Sequence, residues 1–158
     1  MDTETKIRTM VGADAKIVAE LTTELGYPNE IEAIRSRICA IEETDLLLVA
    51  ADGSDKPVGF IQAHRVRIIE VGFRVEILGL VVSSTARRKG IARALIGEVE
   101  LWANKIGAEV VSVRSNTKRA EAHIFYPALG YKHIKTQVVY EKRIEADQGA
   151  NSLKKIKR

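Results

Sequence analysis

VEILGLVVSSTARRKGIARALIGEVELW, residues 75–102, changes its hydrophobic period midway. Ile77, Leu78, Leu80, Val81 and Val82 form an apolar run too short for a helix and rich in branched side chains, which predicts a strand covered on both faces. From Ile91 the period becomes helical, with Leu95, Val99, Trp102 and Ile106 recurring on one stripe. Between the two lie Ser83, Ser84 and the basic turn Arg87-Arg88-Lys89-Gly90-Ile91-Ala92. Gly90 lets the backbone pass close to a ligand, and the three preceding cations supply positive charge. A strand, a basic glycine-bearing loop and a helix in this order turn unpaired N–H groups and the positive end of a helix dipole toward an anion. The loop lacks the glycine-lysine-hydroxyl ending of a nucleotide P-loop and the downstream acid of a dinucleotide fingerprint.

Within the strand, Glu76 lies between Val75 and Ile77. A lone carboxylate in a buried segment costs desolvation free energy unless it is paired, with Arg74 the nearest partner, or takes a proton. Such a site suits a base that must accept a proton from an ammonium group. Gly79 interrupts the apolar run, the mark of a bulge or a close backbone approach. Upstream, Asp45–Ala51 predicts a strand, Asp52 to Asp55 a turn, and Pro57–Ala63 the returning strand of a hairpin, with His64 at its end. Residues 65–74 contain the loop into the central strand. Lys6–Met10 is a first strand, followed by a helix with Ile17, Val18, Leu21 and Leu25, Asp14 in its first turn, and Gly26 and Pro28 at its end. Asn29 and Glu32 read as a capping box for a second helix bearing Ile31, Ile34, Ile38 and Ile41.

Downstream, Lys105 and Gly107 close the long helix, Glu109–Val113 is a strand, and Asn116 or Thr117 caps the next helix. Pro127 follows Tyr126 directly, so that helix must kink or end there. Residues 131–142 alternate through Ile134, Val138 and Tyr140 and predict one or two final strands.

With 158 residues, 46% of them hydrophobic, the chain fits one domain, residues 1–144, and a polar, basic tail, residues 145–158, expected to be mobile. The net charge of +4 is interspersed with acids, so nucleic acid is not the expected partner and a polyphosphate ligand suits the basic loop equally. Cys39 stands alone, the three histidines are scattered, and no metal site is expected. The polar N-terminus and the lack of a membrane-length apolar run point to the cytoplasm, with no membrane partner.

The basic turn and its surroundings resemble the GNAT superfamily of acyl-CoA-dependent N-acetyltransferases. The pyrophosphate loop of that family runs Gln or Arg, two residues, Gly, one residue, then Gly or Ala, and Arg87–Ala92 fits it in full. A glutamate-bearing strand precedes it, and SNTKRAEAHIFYPALGY, residues 115–131, resembles the closing helix of the family with its Phe-Tyr pair. The likeness runs roughly from residue 7 to residue 143. It implies an α/β single-domain GNAT fold, a mixed, twisted sheet with a splayed central strand and helices on both faces. The implied activity is transfer of acetyl from acetyl-CoA to a primary amine, in a ternary complex.

By the same resemblance, Arg87, Arg88, Lys89, Gly90, Ile91, Ala92 and Arg93 bind the pyrophosphate. Backbone groups of Leu80, Val81 and Val82 bond the pantetheine arm, and Asn116 and Tyr126 touch the cofactor. Glu76 is the implied general base, and Tyr126 the general acid that protonates the leaving thiolate. Tyr27, His64 and Glu76 are the candidates facing the acceptor, with Glu30 and Arg35 nearby. The implied acceptor is a small molecule such as a polyamine, an amino acid or an aminoglycoside-like compound. A protein N-terminus or lysine is an alternative, as is a CoA-binding regulatory module without turnover. A homodimer is in keeping with the resemblance.

Overall fold

The apolar and alternating segments form one five-stranded sheet in the order β1-β2-β3-β4-β5 in a computed structural model that describes residues 4–146. Strands β1 (Lys6–Thr9), β2 (Asp45–Ala51), β3 (Pro57–Ile68) and β4 (Gly72–Val82) run antiparallel, each beside the next. Strand β5 (Val110–Val113) joins β4 in parallel, and the crossover that parallel pairing requires is the long helix α3 (Ile91–Ile106). Helices α1 (Ala15–Glu24) and α2 (Ile31–Ala40) precede β2, and α4 (Ala120–Ala128) follows β5.

The sheet is covered on both faces, as the near-continuous apolar character of its middle strands requires. On one side Ile61, Ala63, Val75 and Ile77 meet Leu95, Ile96 and Val99 of α3. On the other, Val49, Phe60 and Val81 meet Val18 and Leu21 of α1 and Ile34 of α2. Among the described residues no helix is long and apolar enough to cross a membrane.

Several expectations change on contact with the tertiary structure. Strand β3 does not end at His64; it runs on to Ile68, because Arg65 to Ile68 pair in register with Val75 to Gly72 of β4. The predicted loop over residues 65–74 is thus the tip of a long hairpin, turning at residues 69–71. Asn29 forms no capping box. Its amide donates to the Tyr27 carbonyl and its oxygen accepts from Arg37, while Glu32 pairs with Arg35. No final strand forms in residues 132–142, which are exposed and pair with no strand of the described chain. The tail beyond residue 146 lies outside the described residues.

Asp14 also departs from expectation. It is the one buried charged residue among those described, at 6% exposure, and it precedes α1 instead of lying in its exposed first turn. Arg8 of β1 grips both its oxygens, at 2.9 and 3.0 Å, and the Val11 N–H donates to it at 2.9 Å. Burial pushes the Asp14 carboxyl upward, but these hydrogen bonds outweigh it and leave the group below the usual carboxylate range. A group whose folded pKa is depressed stabilises the fold above its unfolded pKa and loses that contribution as pH falls through the folded value. Asp14→Asn should therefore cost about 1.5–3 kcal/mol in urea unfolding at neutral pH, the worth of hydrogen bonds to a charged group. The gap from the parent should narrow once the pH drops below about 3.9, the ordinary aspartate value. A gap that stays constant with pH would show that the charge is not what matters.

Candidate active site

The basic turn folds into a cradle. Arg88 and Gly90 both take left-handed conformations, at φ 61 and φ 77, and Gly90 is the residue from which α3 starts. The first helical hydrogen bond is Ala94 N–H to the Gly90 carbonyl, at 2.9 Å. No side chain caps the helix, and the N–H groups of Ile91, Ala92 and Arg93 have no backbone acceptor among the described residues. Arg87, Arg88, Lys89 and Gly90 are exposed around them. Successive N–H groups in a turn with left-handed residues, backed by a sixteen-residue helix, form an anion-binding concavity. A side chain at Gly90 would meet nothing within 4 Å, so the glycine is required by its dihedral angle and not by space.

Directly before this cradle, β4 loses one of its neighbours. Its parallel pairing with β5 ends at Ile77 opposite Val113, while β4 itself continues to Val82. On the β3 side, Gln62 pairs with Gly79 and Ala63 with Ile77, so Leu78 is an extra residue in the ladder. The interruption expected near Gly79 is therefore a bulge at Leu78, which is 55% exposed. Leu80, Val81 and Val82 follow it with their β5-side edge unpaired by any strand of the described residues. Gly59 allows β3 to lie close on the other side: a Cβ there would stand 2.9 Å from the Val81 carbonyl oxygen.

A polar row crosses the sheet at the bulge. Asp45, His64, Glu76 and Ser112 are register partners on β2, β3, β4 and β5, so their side chains share the face that carries α1 and α2. Glu76 has a side-chain exposure of 19%, and the nearest cation is Arg114 at 3.6 Å, not the Arg74 its spacing suggested. The His64 Nδ1 is 2.5 Å from Asp45 Oδ1, and the Gln62 amide donates to Asp45 Oδ2 at 2.8 Å. Burial pushes the Asp45 carboxyl upward, yet the hydrogen bonds from His64 and Gln62 leave it below the usual range. An ionised Asp45 aligns the imidazole through Nδ1 and leaves Nε2 directed elsewhere. Asp45, Gln62 and Arg114 went unnoticed in the sequence because only the strand register brings them to His64 and Glu76.

Helix α4 contributes Tyr126, which packs edge-on against Phe125 and Tyr131 with ring centres 5.1 and 5.8 Å away. Pro127 lies inside the last turn, and the helix stops one residue later at Ala128, so Tyr126 stays helical. Burial raises the Tyr126 phenol pKa, against an opposing pull from Arg119, so the group keeps its proton at neutral pH. Asn116 does not cap α4. Its side-chain oxygen accepts the Lys118 N–H at 2.9 Å, and Arg119 is the residue from which the helix starts. Arg119 in turn donates to the Leu25 carbonyl at 3.2 Å, and Glu24 accepts the Ser84 N–H at 3.0 Å. The end of α1 is thereby tied both to the start of α4 and to the turn leading into the cradle. Tyr27, two residues past Leu25, is 64% exposed. An open groove of about 530 Å³ beside α3, lined by Glu98 and Glu100 among others, presents an acidic wall unsuited to a polyphosphate.

Residues 43–133 match the acetyltransferase (GNAT) domain family. An uncharacterised N-acetyltransferase of Bacillus subtilis, YhdJ, is 30% identical over 111 residues, 70% of this chain and 75% of that protein. The chain belongs to the GNAT family of N-acetyltransferases. Two solved structures share the fold. The aminoglycoside 6'-N-acetyltransferase AAC(6')-Ih of Acinetobacter baumannii has a TM-score of 0.76 at 19% identity, covering 90% of this chain and all of that one. AAC(6')-Iy in complex with CoA has a TM-score of 0.79 at 19% identity, covering 91% of this chain and 98% of that one.

The cradle yields a paired test. Gly90→Ala forces an L-residue into the left-handed region and should destabilise the protein by roughly 1–2 kcal/mol. Gly97→Ala, inside α3 with nothing within 4 Å of its added methyl, should stabilise it by about 0.5–1 kcal/mol. Urea unfolding of both variants reads the difference; equal effects would remove the conformational argument.

Proposed function

We propose that this protein transfers the acetyl group of acetyl-CoA to a primary amine, with both substrates bound together. The observation that carries the proposal is the juxtaposition of the N–H cradle at α3 with the unpaired edge of β4. A diphosphate fits the first, and an amide-bearing arm fits the second, adding to β4 as another strand would. Arg87, Arg88, Lys89 and Arg93 bring charge to the diphosphate, and N–H groups of Gly90, Ile91 and Ala92 bond it. Leu80, Val81 and Val82 offer their backbone to the arm. Asn116 keeps its amide N–H₂ available to the same ligand.

In this scheme Glu76 accepts the proton of the ammonium form of the acceptor, directly or through one water, which frees the nitrogen lone pair for attack on the thioester. Backbone N–H groups on the free edge of β4, near Val81, stabilise the charge that develops on the carbonyl oxygen. Tyr126, held protonated by burial, gives its proton to the departing thiolate. His64, aligned by Asp45, and Tyr27, on the exposed connection after α1, contact the acceptor. The carboxylates of Glu76 and Asp45 favour a cationic acceptor, and two fold relatives are aminoglycoside acetyltransferases, so a small polyamine or aminoglycoside-like amine is the acceptor class proposed.

CoA release measured over polyamines, amino acids, aminoglycosides and peptide amines tests the proposal. Turnover with a small amine supports it; turnover with peptides alone moves the acceptor to protein. CoA binding without turnover on any amine would make the chain a regulatory CoA-binding module. Glu76→Gln should lower kcat and flatten the rise of the rate with pH, and an unchanged pH profile would remove Glu76 as base. Tyr126→Phe should lower kcat with little change in CoA affinity. Arg88→Ala should weaken CoA binding by about 1–2 kcal/mol in calorimetry, the loss of one charge-assisted contact. Unchanged affinity would assign the diphosphate to main-chain groups alone.

A further inference from the structure

A single base does not close the proton count of the proposed transfer. When an ammonium and a thioester become an amide and a thiol, the nitrogen gives up two protons. One ends on sulfur and the other leaves the site. A carboxylate holds one proton at a time, so Glu76 must discharge the first before it takes the second.

The polar row places another proton acceptor beside it. The Asp45 side chain is 10% exposed and surrounded by donors. The Gln62 amide donates to Oδ2 at 2.8 Å, while the Thr44 hydroxyl at 3.2 Å and His64 Nδ1 at 2.5 Å share Oδ1. Burial pushes the carboxyl upward, but these donors outweigh it and keep Asp45 ionised at neutral pH. A carboxylate on Nδ1 holds the ring proton there and leaves the Nε2 lone pair free. Among the described residues Nε2 has no hydrogen-bond partner. His64 is the register partner of Glu76, so their Cβ atoms stand about 4.5–5.5 Å apart on one face of the sheet. No ion pair joins the two among the described residues.

We propose that His64, held by Asp45, is the second proton acceptor of this site. The inference rests on the assignment of Glu76 as base. Glu76 takes the first proton from the ammonium and passes it to His64 Nε2, directly or through one water. Glu76 is then a carboxylate again, and the imidazolium is paired with Asp45. The freed amine bonds to the thioester carbon, and the adduct nitrogen, now cationic, gives its second proton to Glu76. The carbon–sulfur bond breaks and the thiolate takes the Tyr126 proton. The proton on Glu76 returns to the phenol through water, and the imidazolium, 37% exposed, loses its own to solvent. One proton is released, one is on sulfur, and every group is back in its starting state. Asp45 touches no reacting atom; it is a positioning residue that fixes the tautomer and faces the imidazolium with a negative charge.

Nitrogen NMR on the isotopically labelled full chain reads the tautomer without any turnover. The neutral His64 ring should carry its proton on Nδ1 in the parent and on Nε2 in Asp45→Asn. A parent ring protonated on Nε2 would overturn the proposal. With an amine that supports CoA release, His64→Gln should lower kcat about 100-fold, the lower end of what a positioned proton acceptor contributes, with the acceptor KM nearly unchanged. Asp45→Asn should fall to the same level and the double variant no lower, because the two act as one unit. Should Asp45→Asn not fold, His64→Gln at a partly exposed position carries the test. An acceptor KM that rises while kcat stays parental would make His64 a binding contact only and overturn the relay. So would a double-variant loss equal to the product of the two single losses. Glu76→Gln, measured alongside, separates the inference from the reading beneath it. If Glu76→Gln is slow while His64→Gln keeps the parental kcat, the base stands and water discharges it, which overturns the relay alone. If Glu76→Gln keeps the parental kcat, or no amine releases CoA, the base assignment falls and the relay with it.

Discussion

The constraint on which the site depends is the end of parallel pairing between β4 and β5 after Ile77 and Val113. Two parallel strands that stay paired leave no free backbone between them. The extra residue at Leu78 breaks the ladder with β3 at the same level and gives β4 added twist, which turns its last residues away from β5. From that point β4 has one bonded edge and one free edge, and it runs into the turn that opens α3. The free edge and the uncapped helix start therefore meet within a few residues of chain. The burial of Leu95, Ile96 and Val99 against Ile61 and Val75 holds them there, because α3 cannot shift without exposing the centre of the core.

The two faces of the sheet divide the work. The α3 face is apolar throughout its centre. The α1–α2 face carries the polar row through Asp45, His64 and Glu76 and, nearer β1, the half-buried Arg8–Asp14 pair. Both acids need compensation because both are shielded from water, and both receive it from hydrogen-bond donors fixed by strand register. Fixed polar groups of this kind keep their orientation without reorganising when a substrate arrives. Arg8 and Asp14 set the base of α1, whose far end touches the turn after β4 through Glu24 and reaches α4 through Arg119. A structural ion pair at one end of α1 thus bears on the opening at the other.

The parts legible in the sequence were those governed by short-range pattern. The basic turn, the helical stripe from Ile91, strand β2 and the break near Gly79 all follow from spacing within a few residues. What escaped depended on register between distant strands. His64 looked terminal because the polarity changes after it, but β3 continues where β4 is long enough to pair with it. Glu76 meets Arg114 and not Arg74 because the end of β5 lies beside it. Asp14 looked like a helix-start acid, and only the position of Arg8 on β1 makes it a buried anchor. Asn29 and Glu32 had the right spacing for a capping box, yet each found a stronger partner in an arginine.

Residues 131–142 are the instructive failure. Their alternation suits a strand, but a strand is a property of a pair, and among the described residues no sheet edge pairs with them. Helix α4, just before them, is held from its far end. Tyr131, three residues past its end, donates its hydroxyl to Glu100 of α3 at 2.9 Å. Tyr126 lies in the last turn of the helix and is buried enough for its phenol to hold its proton. Its burial comes from Phe125, Tyr131 and the α3-side core, so the protonated state of the phenol is set by packing within the chain. The state of the phenol therefore depends on the same α3 packing that holds the start of α3 against the end of β4.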